Sequence, residues 1–191
     1  MLETFRGSTH DHNELGNLLP SVFGGSFLYI TTCSGCNQPS ERYEKFMEVS
    51  VPIIDSEDAS RNKGLNSDVD IQQCLDSYLH PEQLDGDNQY FCATCDKKCD
   101  AVRELVFNQL PPVLNIQLAR YVFDRKTLAK QKVRTKVLLP RTIDVPFIGG
   151  SKRSKKRKTR VTNDTEQAQY VLCAVQNHLG NSAYEGHYIG M

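Results

Sequence analysis

Four cysteines arrive as two tight turns, Cys33-Ser34-Gly35-Cys36 and Cys92-Ala93-Thr94-Cys95, with fifty-five residues between them. Each turn offers two thiolates from one bend of the chain. Two such bends brought together make a tetrahedral four-sulfur site, the ligand set and spacing of structural zinc. A site with four protein ligands has no open position, so zinc on Cys33, Cys36, Cys92 and Cys95 would hold structure and would not activate water. Cys99 lies four residues past Cys95. It could substitute for a ligand, but it reads better as a spare surface cysteine.

A second group of residues points to a different chemistry. Gly180-Asn181-Ser182-Ala183-Tyr184-Glu185-Gly186-His187-Tyr188 is a polar, glycine-bounded loop that delivers His187 to the start of a strand. Histidine is the usual general base for a thiol or hydroxyl nucleophile. Taken alone, His187 is weak evidence for a base, and a satisfied structural histidine is the default reading. His178, on the other side of the loop, reads as a bystander.

The elements that must position these groups are mostly strands. Phe23-Gly24-Gly25 leads into Phe27 to Thr32, an aromatic and β-branched stretch that feeds the first cysteine turn. Strands are predicted over 43–54, 101–107, 113–118 with an extension through 120–124, 143–147 and 170–175, and another begins at Tyr188. Lys126 to Lys136 reads as a basic hairpin, and 55–66 as a loop. Ile71, Cys74, Leu75, Tyr78 and Leu79 form one helical stripe, which predicts a single well-defined helix near 68–79. Ser67 opens it in a capping box with Asp70, and Pro81 ends it. Cys74 lies on the stripe and is expected in the core. Leu15, Leu18 and Leu19 suggest a short helix that stops before Pro20.

Composition narrows the function classes. A chain of 191 residues is long enough for one well-packed domain. It has no run of eighteen apolar residues and no apolar leader at its start, so it reads as a protein of a reducing compartment with no membrane partner. The formal charge of zero conceals an asymmetry. Residues 152–160 hold seven basic residues, and without them 16 basic residues face 23 acidic ones, a net of −7. An acidic body argues against direct nucleic-acid binding. The basic run reads as a nuclear localisation signal on a flexible insertion at about 149–165. The nucleus is therefore the expected location, with the cytoplasm as a second.

The order of these features carries a resemblance. Cys-x-x-Cys is followed by a capped helix, then Leu84-Asp85-Gly86-Asp87-Asn88-Gln89-Tyr90-Phe91-Cys92-x-x-Cys95. Pro111-Pro112-x-Leu114-x-Ile116-x-Leu118-x-Arg120-Tyr121 comes next, and then Gly186-His187-Tyr188. Over residues 22–191 this resembles the ubiquitin-specific proteases, the cysteine deubiquitinases of the ubiquitin carboxyl-terminal hydrolase (peptidase C19) family. The stretch 84–128 is most similar to a nuclear subgroup of it.

The resemblance implies an α+β fold of the papain-like cysteine protease type, built as a hand with an antiparallel palm sheet and a zinc ribbon at the fingertips. It implies fingers at about 22–110, a palm at about 111–191, a polar segment at 1–21 before them, and no thumb. Ubiquitin and ubiquitinated proteins become the expected partners, histones among them. His187 would be the general base, and Gly186 and Tyr188 would line the channel for ubiquitin's C-terminal tail. Without a thumb, one side of the palm is expected to expose apolar surface.

This sequence departs from the family's pattern at the nucleophile. The family's cysteine sits in an Asn-x-Cys-Tyr box, and none of the seven cysteines here has that context. The family's residue that orients the histidine would fall past Met191, where the sequence stops in mid-strand. The expectation is a chain that binds ubiquitin without cleaving it, as part of a deubiquitinase. A catalytically dead ubiquitin-binding module is the alternative, and a zinc-ribbon nucleic-acid binder is a more distant one.

Overall fold

The computed structural model describes residues 11–54, 68–124, 128–149, 165–180 and 185–191. Among them the chain forms helices α1 (Asp11–Phe23) and α2 (Ile71–Tyr78). The first eight strands are β1 (Gly25–Cys33), β2 (Pro39–Phe46), β3 (Val49–Val51), β4 (Val69–Asp70), β5 (Glu82–Leu84), β6 (Tyr90–Cys92), β7 (Lys97–Cys99) and β8 (Ala101–Gln109). The remaining eight are β9 (Ile116–Leu118), β10 (Tyr121–Asp124), β11 (Ala129–Lys132), β12 (Val137–Leu138), β13 (Thr142–Ile148), β14 (Thr165–Val171), β15 (Gln176–Leu179) and β16 (His187–Gly190). The fold is α+β and mostly sheet, as expected. It divides into two compact units, one of Met1–Val49, Pro81–Asn115 and Phe147–Glu166, the other of Ser50–His80, Ile116–Pro146 and Gln167–Met191.

The first unit is organised by β1, which pairs antiparallel with β2 on one side and β8 on the other. β5 extends the pairing along β8, and Phe147 pairs with Phe107. A central strand buries both faces, which is why Phe27-Leu28-Tyr29-Ile30 is a near-continuous apolar run. Phe27 packs against Phe46 and Phe107 with ring centroids 4.5 and 4.8 Å away. Leu28 and Ile30 form a separate cluster with Val106 and Ile148. Each such burial is worth about 1.5–3 kcal/mol.

Several elements differ from their sequence expectation. The predicted strand over 43–54 is two strands. β2 starts earlier, at Pro39, and is exposed along almost its whole length. Backbone pairing with β1 and the stacking of Arg42 on Tyr29 (4.7 Å) hold it, so it carries no apolar alternation to read. β3 turns away and pairs with β9. In 113–118 only Ile116–Leu118 is strand, because Val113 donates its N–H to Val22 of α1 and Asn115 accepts from Val49. β10 does not extend β9. Arg120 bends the chain by donating back to Leu118, and its guanidinium bonds the carbonyls of Val133 and Thr135.

A helix was not expected beyond Pro20, yet α1 continues to Phe23. Pro20 forfeits its own bond to Gly16, and the helix resumes with Gly24 donating to the Pro20 carbonyl at 2.9 Å. α1 is therefore a second helix, longer than α2.

The second unit contains α2, whose start is also displaced. Asp70, not Ser67, is the N-cap: its carboxylate accepts from the Gln73 N–H at 2.8 Å, and Gln73 Oε1 accepts from the Asp70 N–H at 3.0 Å. Val69 and Asp70 are extended because they pair in parallel with β12, which pulls the helix start inward. Ser67, the 55–66 loop and the basic run 152–160 lie outside the described residues. The stripe is as predicted at its heart, with Ile71, Cys74 and Leu75 buried. The expected strand over 170–175 is instead β14 at Thr165–Val171. From Leu172 the chain leaves that strand, and Val175 exchanges hydrogen bonds with Met191 at 2.9 Å each way. Val171, Leu172, Leu179, Tyr188 and Met191 are exposed.

Candidate metal centre and histidine hairpin

In the first unit, β1 ends in Cys33 and β6 ends in Cys92, so each cysteine turn caps a strand. Both turns close the same way. Asn37 and Asp96, each directly after the second cysteine of its turn, adopt positive φ of 55° and 52°. Short polar side chains of this type tolerate the left-handed conformation best after glycine. The Asn37 N–H donates to the Cys33 carbonyl at 2.8 Å, and the Gly35 N–H points at Cys33 Sγ at 3.3 Å.

The four sulfurs of Cys33, Cys36, Cys92 and Cys95 lie within 4.8 Å of one another. Metal–sulfur bonds of about 2.3 Å in a tetrahedron require edges of about 3.8 Å. Two opposite edges bracket that value, Cys36–Cys92 at 3.6 Å and Cys33–Cys95 at 4.0 Å. None of the sulfurs is in a disulfide. The donor set and its shape thus fit a closed tetrahedral ion such as zinc. Local electrostatics already favour a thiolate here. Backbone N–H donation, first from Cys36 and also from Gly35, outweighs burial and lowers the Cys33 thiol to about 6. Cys95 moves up instead, chiefly through its hydrogen bond with Cys36 and then through burial.

Cys99 is a correction. It is 8% exposed and packs in the same cluster as Cys33 and Cys92, so it is not a surface cysteine. Its place was legible only once the β6–β7 pairing was known. Cys74 is buried, as expected, and burial is the main cause raising its thiol.

The histidine region lies in the second unit. β15 and β16 form an antiparallel pair that sets His178 opposite Tyr188 and Leu179 opposite His187. His187 is exposed at the start of β16. His178 is no bystander. Its Nδ1 lies 2.8 Å from the Tyr121 hydroxyl and 3.3 Å from Lys132 Nζ. The Lys132 ammonium can only donate. The same ammonium donates to the carbonyls of His178 at 3.1 Å and Gly180 at 2.8 Å. The His178 ring also packs on Tyr188, with centroids 4.8 Å apart. Gly186 must be glycine here, since a β-carbon would overlap His178 Nε2. Sequence reading missed Lys132 and Tyr121 as members of this group, because neither stands in a local motif with the loop.

Comparison with known proteins decides the family. The family model described as Ubiquitin carboxyl-terminal hydrolase (UCH) matches residues 2–191. The chain belongs to the ubiquitin carboxyl-terminal hydrolase family. Among its relatives is ubiquitin carboxyl-terminal hydrolase 26 of Oryza sativa subsp. japonica, 37% identical over 175 residues, covering 90% of this chain and 14% of that protein. Ubiquitin carboxyl-terminal hydrolase 48 of Danio rerio is 34% identical over 190 residues, covering 99% of this chain and 16% of that protein. The chain thus spans about a sixth or less of the length of these curated relatives. Its fold is similar to the SAGA Ubp8/Sgf11/Sus1/Sgf73 DUB module bound to ubiquitin aldehyde. There the TM-score is 0.67 at 25% identity, covering 91% of this chain and 34% of that one. A second structure of the SAGA DUB module, bound to monoubiquitin, gives a TM-score of 0.64 at 26% identity, over 91% of this chain and 33% of the other.

Proposed function

We propose that this chain is the zinc-bearing and histidine-bearing part of a thiol-dependent deubiquitinase, and that by itself it binds ubiquitin without cleaving it. The observation that carries the reading is the Gly186-His187-Tyr188 strand, which lies within the span of the family match, beside the lack of any cysteine in an Asn-x-Cys-Tyr context. His187 is the general base of this proposal. Its exposure at the head of β16 leaves the imidazole free to take a proton from a thiol presented to it. Gly186 and Tyr188 flank it and line the path of ubiquitin's C-terminal tail, where a missing side chain on either partner gives room. The second unit holds two cysteines, Cys74 and Cys173. The first is sealed in the core and the second has no box around it, so neither acts as nucleophile.

Zinc is the ion proposed for Cys33, Cys36, Cys92 and Cys95. Bound there it supplies charge that lets four thiolates share one small volume, and it ties β1 to β6. The support is the tetrahedral edge lengths and the all-sulfur donor set.

The test uses ubiquitin carrying a thiol-reactive group at its C-terminus. Expected is saturable binding of ubiquitin with no covalent adduct. An adduct overturns the claim that the nucleophile is absent, and no binding overturns the claim of a ubiquitin partner. The basic run 152–160 supports a further element of the proposal, nuclear import. A reporter fused to residues 148–163 should enter the nucleus, and cytoplasmic retention overturns this.

A further inference from the structure

The cysteine centre contains five thiols, not four. Cys99 lies on β7, and the β6–β7 register sets it opposite Tyr90. Tyr90 and Cys92 are two residues apart on β6 and so share a face, which places Cys99 on the face that carries Cys92. The side chain is buried and directed into the sulfur cluster. The position that a β-carbon would take on Gly35 measures the closeness: it is 3.5 Å from Cys99 Sγ, 3.5 Å from Cys95 Sγ and 3.6 Å from Cys33 Sγ. Three sulfurs crowd one point beside the ion's position, and only two of them belong to the four-sulfur set.

We infer that Cys99 is a reserve ligand of this centre, able to take the coordination position of Cys95 when that thiolate is lost. The inference rests on the metal reading of the four-sulfur site. Cys95 closes the second cysteine turn and Cys99 ends β7 four residues later, so the exchange needs movement within one short hairpin. Ligation replaces the Cys99 S–H bond with a metal–sulfur bond and releases the proton to water. The donor set stays four thiolates, so charge and softness are kept. A serine or other oxygen ligand at position 95 would keep neither.

A double-mutant cycle in the 191-residue chain tests this, with zinc content and affinity measured and with cobalt(II) reporting the number of bound thiolates through its sulfur charge-transfer absorption. The unaltered chain should bind one ion through four thiolates. Cys95→Ser should still bind one ion through four thiolates. Cys99→Ser alone should weaken binding less than about tenfold, whereas the same change made on Cys95→Ser should weaken it more than about a hundredfold, beyond the 10–100-fold of an outer-shell partner. Equal costs of Cys99→Ser in both backgrounds, a three-thiolate spectrum for Cys95→Ser, or loss of metal or fold in Cys95→Ser each overturn the inference. An unaltered chain that takes no metal instead overturns the metal reading itself. Cys173→Ser, which changes an exposed cysteine in the other unit, should leave every measurement unchanged.

Discussion

The cysteine centre and the histidine hairpin are both short strand pairs that present chemistry at a turn, but they are held in opposite ways. At the cysteine centre, the groups that do the chemistry are also the groups that hold the structure. Four sulfurs converge, their backbone N–H donors lie in the same turns, and an ion would close the set. At the histidine hairpin the two tasks are separated. His187 stands exposed, while His178, Lys132 and Tyr121 fix the backbone around it through hydrogen bonds from β10, β11 and β15. A site of the first kind fails all at once when its ion leaves. A site of the second kind can lose one bond and keep the rest.

The largest effect expected from this contrast is that of chelation. Removing the zinc proposed for the cysteine centre should melt the β6–β7 hairpin and the end of β1, since a structural site contributes on the order of 10–16 kcal/mol of apparent folding free energy. Amide exchange should quicken sharply around residues 33–37 and 92–99 and stay unchanged around 176–179 and 187–190. Equal quickening in both regions would break the comparison.

Next comes Gly186→Ala, whose β-carbon must push the His178 ring from its place. The expected cost is about 1–3 kcal/mol in the thermal or denaturant transition, with zinc content unaltered. Lys132→Met should cost about 1–2 kcal/mol, because it leaves the carbonyls of His178 and Gly180 without their donor. It should shift the NMR signals of Tyr188 and His187 while leaving the cysteine turns alone. The smallest effect is expected at the Lys136–Asp68 ion pair, 3.1 Å apart and exposed on both sides. Lys136→Ala should change stability by less than about 0.5 kcal/mol, and less still at high salt. A larger change there would mean that a surface pair supports the β4–β12 pairing.

The same contrast explains what could be read without coordinates. Cys33, Cys36, Cys92 and Cys95 were legible because two residues between cysteines is a geometric statement, fixed by one turn of backbone. The stripe Ile71, Cys74, Leu75 was legible because a helix repeats locally. β2 was not, because its partners are backbone atoms of β1 and its side chains face water. The start of α2 was misplaced because Val69 and Asp70 are drawn into a parallel pair with residues 137–138, far along the chain.

Residue types and short-range spacing suffice for the family, the α+β class and the four-sulfur donor set, since none of these waits on distant pairing. That Cys99 is a buried fifth thiol, and that His178 is the hub clamped by Lys132 and Tyr121, emerges only from the folded chain. Strand register sets which side chains meet across a pair, and the bonds that select a register lie between residues far apart in the chain.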